Sequence, residues 1–231
     1  FTYQRGYRAG GLSIAVPPGG GPPTTFEFDP EFTDTFELAY RSQSSDGTRT
    51  LNANLFYTNW TDQQVGTQDA VGLPIIANAA NSDLWGAEID YRQFINANLE
   101  VFASAAYVQT NSGSYISNIG VPISGGNSFP LAPELVTSFG ANYTFDNGLS
   151  IGGDINYTSS TFSDAVNSPQ FKNDAYWITN VNANYVFAND WVLTAYARNL
   201  FDEVYSIQRS GTGFDVFGDR REYGVYVTAN F

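Results

Sequence analysis

Three sets of side chains in this 231-residue sequence are of types that could meet a ligand or an ion. Arg5, Tyr7 and Arg8 lead into a Gly- and Pro-rich stretch. Guanidinium groups pair well with carboxylates, so this trio suits an anionic ligand; the alternative is a feature that only shapes a strand end. Asp62, Gln63 and Gln64 open a later loop and could hydrogen-bond a ligand, or form an ordinary polar exit from a strand. Asp202, Glu203, Asp215 and Asp219 share the last loop and are of the type Ca²⁺ prefers, but no ligand-spacing motif joins them, so no metal site is assigned. The sequence has no His and no Cys. That removes Ser-His-Asp and Cys-His nucleophiles, the commonest zinc and haem ligands, thiolate metal sites and disulfides. No catalytic residue and no cofactor is assigned. With 10 basic against 23 acidic residues and a net charge of −13, nucleic acid is excluded as a partner, because a basic patch supplies most of that affinity.

The elements that would position these groups are strands. Residues 135–157 show this best. Leu135, Thr137, Phe139, Ala141, Tyr143 and Phe145 alternate with Val136, Ser138, Gly140, Asn142 and Thr144. After Asp146-Asn147-Gly148, Leu149, Ile151, Gly153, Ile155 and Tyr157 alternate with Ser150, Gly152, Asp154 and Asn156. Alternate side chains of a strand point to opposite faces, so this is a hairpin with one apolar and one polar face. Asn and Gly tolerate the positive φ of tight turns. The same pattern recurs along the chain, with long loops expected at about 9–28, 62–81, 111–131, 161–175 and 202–219. Short turns fall at Ser44–Gly47, Asn96–Asn98 and Ala188–Asp190. The expectation is an all-β chain of about ten antiparallel strands, short turns alternating with long loops, and no amphipathic helix. No apolar run approaches the roughly 20 residues of a membrane helix.

Alternation alone fits any antiparallel sheet with one wet face, including a soluble sandwich or a carbohydrate-binding β-module. Three features point to a transmembrane β-barrel. Glu37, Arg41, Glu88, Asp90, Arg92, Glu100, Asp154 and Arg198 all take the polar parity, as lumen-facing charges would. An Arg or Lys on the lipid face at mid-depth costs about 2–4 kcal/mol. Arg5, Asp34, Asp83 and Arg221 take the apolar parity, each at the long-loop end of its strand, above the hydrocarbon. Tyr40, Tyr57, Trp85, Tyr91, Tyr107, Tyr143, Phe145, Tyr157, Trp177, Tyr185, Phe187 and Trp191 edge the apolar bands as aromatic girdles do. Finally, the turn and loop lengths are asymmetric, as in outer-membrane barrels, and charged residues are only 14% of the chain against about 25% in soluble domains.

Several motifs, in order, carry a resemblance. They are Arg5-Gly-Tyr-Arg-Ala-Gly-Gly11, Asp29-Pro-Glu-Phe-Thr-Asp-Thr-Phe-Glu-Leu38 with Arg41-Ser42, and Leu55-Phe-Tyr-Thr-Asn-Trp-Thr-Asp-Gln-Gln-Val65. Trp85-Gly-Ala-Glu-Ile-Asp90, Phe129-Pro-Leu-Ala-Pro-Glu134, Ala197-Arg-Asn-Leu-Phe-Asp-Glu203 and Tyr223-Gly-Val through Phe231 follow. The chain resembles the C-terminal barrel half of a TonB-dependent outer-membrane receptor. The resemblance implies that residues 1–231 are about the last ten strands of a 22-stranded bacterial outer-membrane barrel, with the plug domain and TonB box absent from this sequence. It further implies uptake of a scarce nutrient, a ferric siderophore-like chelate foremost, with energy from the TonB complex acting through the missing N-terminal region. Tyr223, Val225, Val227 and Phe231 resemble the signal read by the barrel-assembly machinery. Outer-membrane lipid and lipopolysaccharide would surround the chain. The competing expectation is a complete ten-stranded passive pore or adhesin, with the first strand closing on the last. An outer-membrane protease or lipase is disfavoured without His.

Overall fold

The alternating pattern folds into ten long strands hydrogen-bonded in chain order, antiparallel throughout. They are β1 (Thr2–Arg8), β2 (Glu31–Gln43), β3 (Arg49–Thr61), β4 (Ser82–Phe94), β5 (Leu99–Asn111), β6 (Leu135–Thr144), β7 (Leu149–Thr158), β8 (Tyr176–Val186), β9 (Val192–Arg198) and β10 (Glu222–Thr228). The computed structural model describes residues 1–17, 19–69, 71–116, 122–188, 190–210 and 213–229. Among them the one helical element is the 3₁₀ turn Pro169–Phe171.

Register carries the sequence parity across every seam. Leu38 faces Leu55, Leu55 faces Ala87, and Ala87 faces Tyr107. On the far half, Tyr143 faces Ile151, Ile151 faces Ala183, Ala183 faces Ala195, and Ala195 faces Val225. The other face aligns Arg41, Asn52, Asp90 and Ser104 in one row. A slip of one residue at any seam would turn a whole strand's apolar set to the polar side, so the pattern itself fixes the pairing.

Among the described residues nothing covers the apolar face. Leu38, Leu55, Ile89, Phe139, Ile151 and Val181 are all exposed. Among the described residues only Ile75 and Ala79 are buried apolar side chains, and both lie in a loop. The chain exposes 14130 Å², against roughly 10,000 Å² for a compact soluble protein of its 25.3 kDa mass. A soluble sandwich would cover this face with a second sheet. Here only lipid suits it, as the architecture of a transmembrane barrel wall requires. The aromatic edges pair off at both rims: Trp85 with Tyr107 at 5.5 Å and Tyr157 with Trp177 at 4.7 Å on the long-loop side, Tyr143 with Phe145 at 4.6 Å and Tyr185 with Phe187 at 4.9 Å on the turn side. Trp177 and Tyr185 stand on one strand, separated by roughly 20 Å of height at about 3.3 Å rise and about 40° tilt.

Three of the four short turns share one mechanism; the fourth, Asn96–Asn98, is held instead by Asn96 Oδ1, which accepts from the Asn98 and Leu99 amides at 2.8 and 2.9 Å. The N–H groups of Gly47, Gly148 and Asp190 donate back to the carbonyls of Ser44, Phe145 and Phe187, at 2.9, 3.2 and 3.0 Å. Each donor is left-handed, with φ of 71°, 84° and 62°. In the turn at 146–148 it is Gly148, not Asn147, that takes the positive φ. Asn189 of the Ala188–Asp190 turn lies outside the described residues.

The long loops are more ordered than their composition suggests. Each holds its own hairpin: Gly11–Ala15 with Thr24–Phe28, Gln64–Gln68 with Pro74–Asn78, Tyr115–Ile116 with Pro122–Ile123, Thr161–Phe162 with Lys172–Asn173, and Ser206–Gln208 with Val216–Phe217. These segments are too short to show a parity pattern. β1 and β10 each have a single neighbour, and no ladder joins them among the described residues.

Candidate functional site

The polar face is a wall of charged and amide side chains. Its register places Glu37, Arg41, Glu88, Asp90, Arg92, Glu100, Asp154 and Arg198 on the side opposite the apolar residues. Arg92 pairs with Glu100 at 3.2 Å, and Asn142 donates to Glu100 at 3.2 Å. Asp154 accepts from Asn180 at 2.8 Å and also from Asn156. Arg198 pairs with Glu222 at 3.5 Å and lies over the Tyr196 ring at 5.2 Å. Glu37, Arg41, Glu88 and Asp90 make no ion pair among the described residues. Arg41, Glu88 and Asp90 line a groove of about 350 Å³ with Asn52, Asn54 and Ser104, and Asn54 Oδ1 is buried there without a hydrogen-bond partner. A second groove of about 460 Å³ is amide-rich, with Asn180, Asn182 and Asn184 beside Asp154 and Tyr196.

At the long-loop rim the register splits the first trio. Arg5 and Tyr7 share the face of Phe36, while Arg8 shares that of Glu37. Arg5 lies 3.8 Å from Asp34 and over the Phe32 ring at 4.8 Å. Tyr7 leans on Phe32 at 5.2 Å. Arg8 pairs with Glu31 at 3.5 Å.

Glu31 is the hub that the sequence did not disclose. It is buried, and it accepts from Trp60 Nε1 at 3.1 Å and from the Gln64 amide at 2.6 Å. Gln64 Nε2 donates to the Ala9 and Asp29 carbonyls at 2.9 and 3.1 Å. Gln63 Oε1 accepts from Ser82 Oγ at 2.6 Å. Asp62, at φ 53°, offers its carbonyl to Asn78 Nδ2 at 2.8 Å. Arg8, Asp62, Gln63 and Gln64 are thus brought together, and their polar atoms bind the first two long loops to the strands beneath. Asp69 completes the join. Its carboxylate accepts from Val16 at 2.8 Å, Leu73 at 2.8 Å and Val71 at 3.0 Å. The Val16 amide foremost, with those of its own hairpin, holds this carboxyl below the usual range.

In the last loop, Arg220 grips Asp202 through two bonds of 2.9 and 2.6 Å, and this guanidinium holds the carboxyl well below its ordinary value. Asp215 accepts from the Ser210 amide at 3.2 Å. No cluster of three or more potential metal ligands exists among the described residues. Asn199, buried at φ 47°, closes the loop through Glu203 and the Asp219 carbonyl. Tyr223, Val225 and Val227 are exposed on the apolar face of β10, and Phe231 lies outside the described residues.

Comparison with known proteins agrees with this architecture. The family model described as TonB dependent receptor-like, beta-barrel, matches residues 1–200. Among solved structures, the ferric yersiniabactin uptake receptor FyuA from Yersinia pestis is 20% identical with a TM-score of 0.77, over 97% of this chain and 33% of that one. BauA, the ferric preacinetobactin receptor from Acinetobacter baumannii, is 19% identical with a TM-score of 0.71, over the same shares of 97% and 33%. The siderophore receptor PiuA from Acinetobacter baumannii is 22% identical with a TM-score of 0.69, over 87% and 28%. The chain spans about a third of the length of these receptors.

Proposed function

The chain belongs to the TonB-dependent receptor-like β-barrel family, a family of outer-membrane transport receptors and not of enzymes, and from that premise we propose that it forms the C-terminal part of the barrel of a receptor importing a ferric siderophore-like chelate. The observation that carries this is the register: ten strands pair without a slip, apolar residues on one side and the mid-strand charges on the other, with Arg5, Asp34 and Asp83 on the apolar parity only at strand ends. Two sheet edges are left without partners among the described residues, and unpaired N–H and C=O groups are not tolerated in hydrocarbon. This favours a larger barrel, of 22 strands in the family's form, over a ten-stranded pore closing on itself.

In this proposal Glu37, Arg41, Glu88, Asp90, Arg92, Glu100, Asp154 and Arg198 line the lumen and meet a plug carried elsewhere in the receptor. The unpaired Glu37, Arg41, Glu88 and Asp90 are available for that contact. Arg8, Asp62, Gln63 and Gln64 shape the mouth where the chelate arrives, and Arg5 and Tyr7 stand at its lipid-side rim. Tyr223, Val225, Val227 and Phe231 present the terminal signal to the barrel-assembly machinery, and lipopolysaccharide surrounds the outer rim. The names of FyuA, BauA and PiuA, all receptors for ferric chelates or siderophores, support the choice of cargo.

The test is iron uptake by the full receptor expressed in a Gram-negative host lacking its own ferric-chelate receptors, with and without TonB. Radiolabelled iron should enter as a chelate only when TonB is present. Entry unaffected by loss of TonB would refute the energy coupling, and no entry of any ferric chelate would refute the cargo.

A further inference from the structure

Four polar side chains stand together on the face that otherwise meets lipid. Asn59 of β3 faces Asp83 of β4, and Asp83 faces Asn111 of β5, on the parity of Leu55, Ile89 and Tyr107. Gln109, two residues from Asn111, faces Trp85 on the same side. Below this patch lie Tyr57 and Trp85, facing each other and 43% and 46% exposed, with Tyr107 at 5.5 Å from Trp85. Two residues of strand climb about 5 Å, at about 3.3 Å rise and about 40° tilt. The patch therefore begins one step above the rings, and barrel rings sit at headgroup level. It lies at the long-loop end, the outer side of a barrel with short periplasmic turns. On β7 and β8 the positions two residues beyond Tyr157 and Trp177 are Ser159 and Ala175, so that rim has rings without an amide or carboxylate above them.

The chemistry of the patch selects among headgroups. Asp83 Oδ1 accepts from Asn111 Nδ2 at 2.9 Å, and Gln109 Oε1 accepts from the Tyr107 hydroxyl at 3.2 Å. Asn59 Nδ2 donates to Thr61 Oγ1 at 3.4 Å. Asp83 Oδ2, Asn59 Oδ1 and Gln109 Nε2 make no bond among the described residues, which leaves two acceptors and a donor. Hydroxyls both donate and accept, so a sugar can answer all three. A phosphate would meet the Asp83 carboxylate without a cation to offset it. No Arg or Lys stands on β3, β4 or β5 above the rings. Arg5, two strands from Asn59 on the same row, already faces Asp34 at 3.8 Å. Phosphate headgroups are recognised by basic clusters, which this patch lacks. The exposed rings below give the C–H face of a sugar an apolar surface.

We propose that this patch seats the sugar headgroup of an outer-leaflet glycolipid, held through hydroxyls and not through phosphate. The proposal rests on the outer-membrane placement above, deepens it by giving the surrounding lipopolysaccharide a fixed seat over β3–β5, and is independent of the cargo.

The full receptor, immobilised in a detergent without sugar groups, is offered radiolabelled lipid A, dephosphorylated lipid A and phosphatidylglycerol. Both forms of lipid A should be retained within about twofold of each other and at least about tenfold over phosphatidylglycerol. Raising salt from about 0.05 to about 0.5 M should leave their retention unchanged, because no ion pair holds them. Asn59→Leu with Asp83→Leu should lower retention about tenfold, whereas Trp177→Leu at the bare rim should not change it. Heat-modifiable migration reports folding. If the double variant does not fold, Gln109→Ala takes its place and should weaken retention about fivefold. Loss of retention on dephosphorylation, equal retention of phosphatidylglycerol, or undiminished retention by the folded variant overturns the proposal. Iron is not read in this assay, so failure of the ferric cargo leaves the glycolipid seat standing, and the reverse holds as well.

Discussion

Phe56 and Phe102 break the sequence pattern, since each is a large aromatic on the polar parity. The structure gives their reason. Each faces a glycine across the seam, Phe56 opposite Gly86 and Phe102 opposite Gly140, and Tyr196 repeats the arrangement opposite Gly224. A Cβ on any of these glycines would strike the facing ring. Laid over its glycine, the ring shields backbone that has no side chain of its own, which also pins the register. At Gly224 the three nearest atoms are all of Tyr196, at 2.8 to 2.9 Å, so the effect can be isolated there. Gly224→Ala should push the ring aside, break its 2.8 Å bond to Glu222, and destabilise the receptor by about 1–3 kcal/mol. In a Tyr196→Leu background most of that cost should vanish. A double-mutant cycle from thermal melts of the full receptor measures it, and a coupling below about 0.5 kcal/mol would show that ring and glycine act independently. Only the cross-strand partner explains why these aromatics stand on the polar parity.

Strands were legible in this sequence because each long one repeats its alternation, whereas the loops had to be seen. The hairpins Gly11–Ala15 with Thr24–Phe28 and Gln64–Gln68 with Pro74–Asn78 are held to each other by Asp69 reaching Val16 across 53 residues. Glu31 reaches Gln64 across 33 residues in the same way. Such bonds leave no local period, and isolated acidic residues in polar stretches read as solvated surface. The join has a pH consequence. Because the Asp69 carboxyl is held below its ordinary value of 3.8, its contribution is complete above that value and is lost as pH falls through the lowered one. Pepsin digestion of the full receptor between pH 4 and pH 2 should therefore open residues 16–28 and 69–74 together as acid rises. Asp69→Ala should open both segments already at pH 4 and remove the pH step, after correction for the enzyme's own profile with a free peptide. Cleavage of one segment without the other would show that the loops are not latched by this carboxylate.

Across the molecule, one surface must suit hydrocarbon and the other water, and this sorting was readable before any coordinates because it needs only parity. The number of strands around the barrel was not, because parity orders each strand's faces and says nothing of what pairs with β1 and β10. Neighbouring positions on β6 test the sorting most sharply. Ala141 faces Val101 and Gly153 on the apolar side, whereas Asn142 faces Glu100 and Gly152 on the polar side. An arginine at 141 must carry its charge into lipid, at a cost of about 2 kcal/mol or more, which lowers the ratio of inserted to uninserted chains roughly 30-fold in a two-state balance. An arginine at 142 would sit beside Glu100, where Asn142 already donates at 3.2 Å, and would gain a partner carboxylate in a hydrated space. Ala141→Arg should therefore deplete the heat-modifiable, folded band of the full receptor in outer-membrane fractions, while Asn142→Arg should leave it near the wild-type level. Both depend on the same backbone and the same substituted side chain, so propensity and bulk cancel between them. Equal yields would mean that the face bearing Ile151 and Val181 does not meet lipid, and the barrel assignment of this sheet would fail with it.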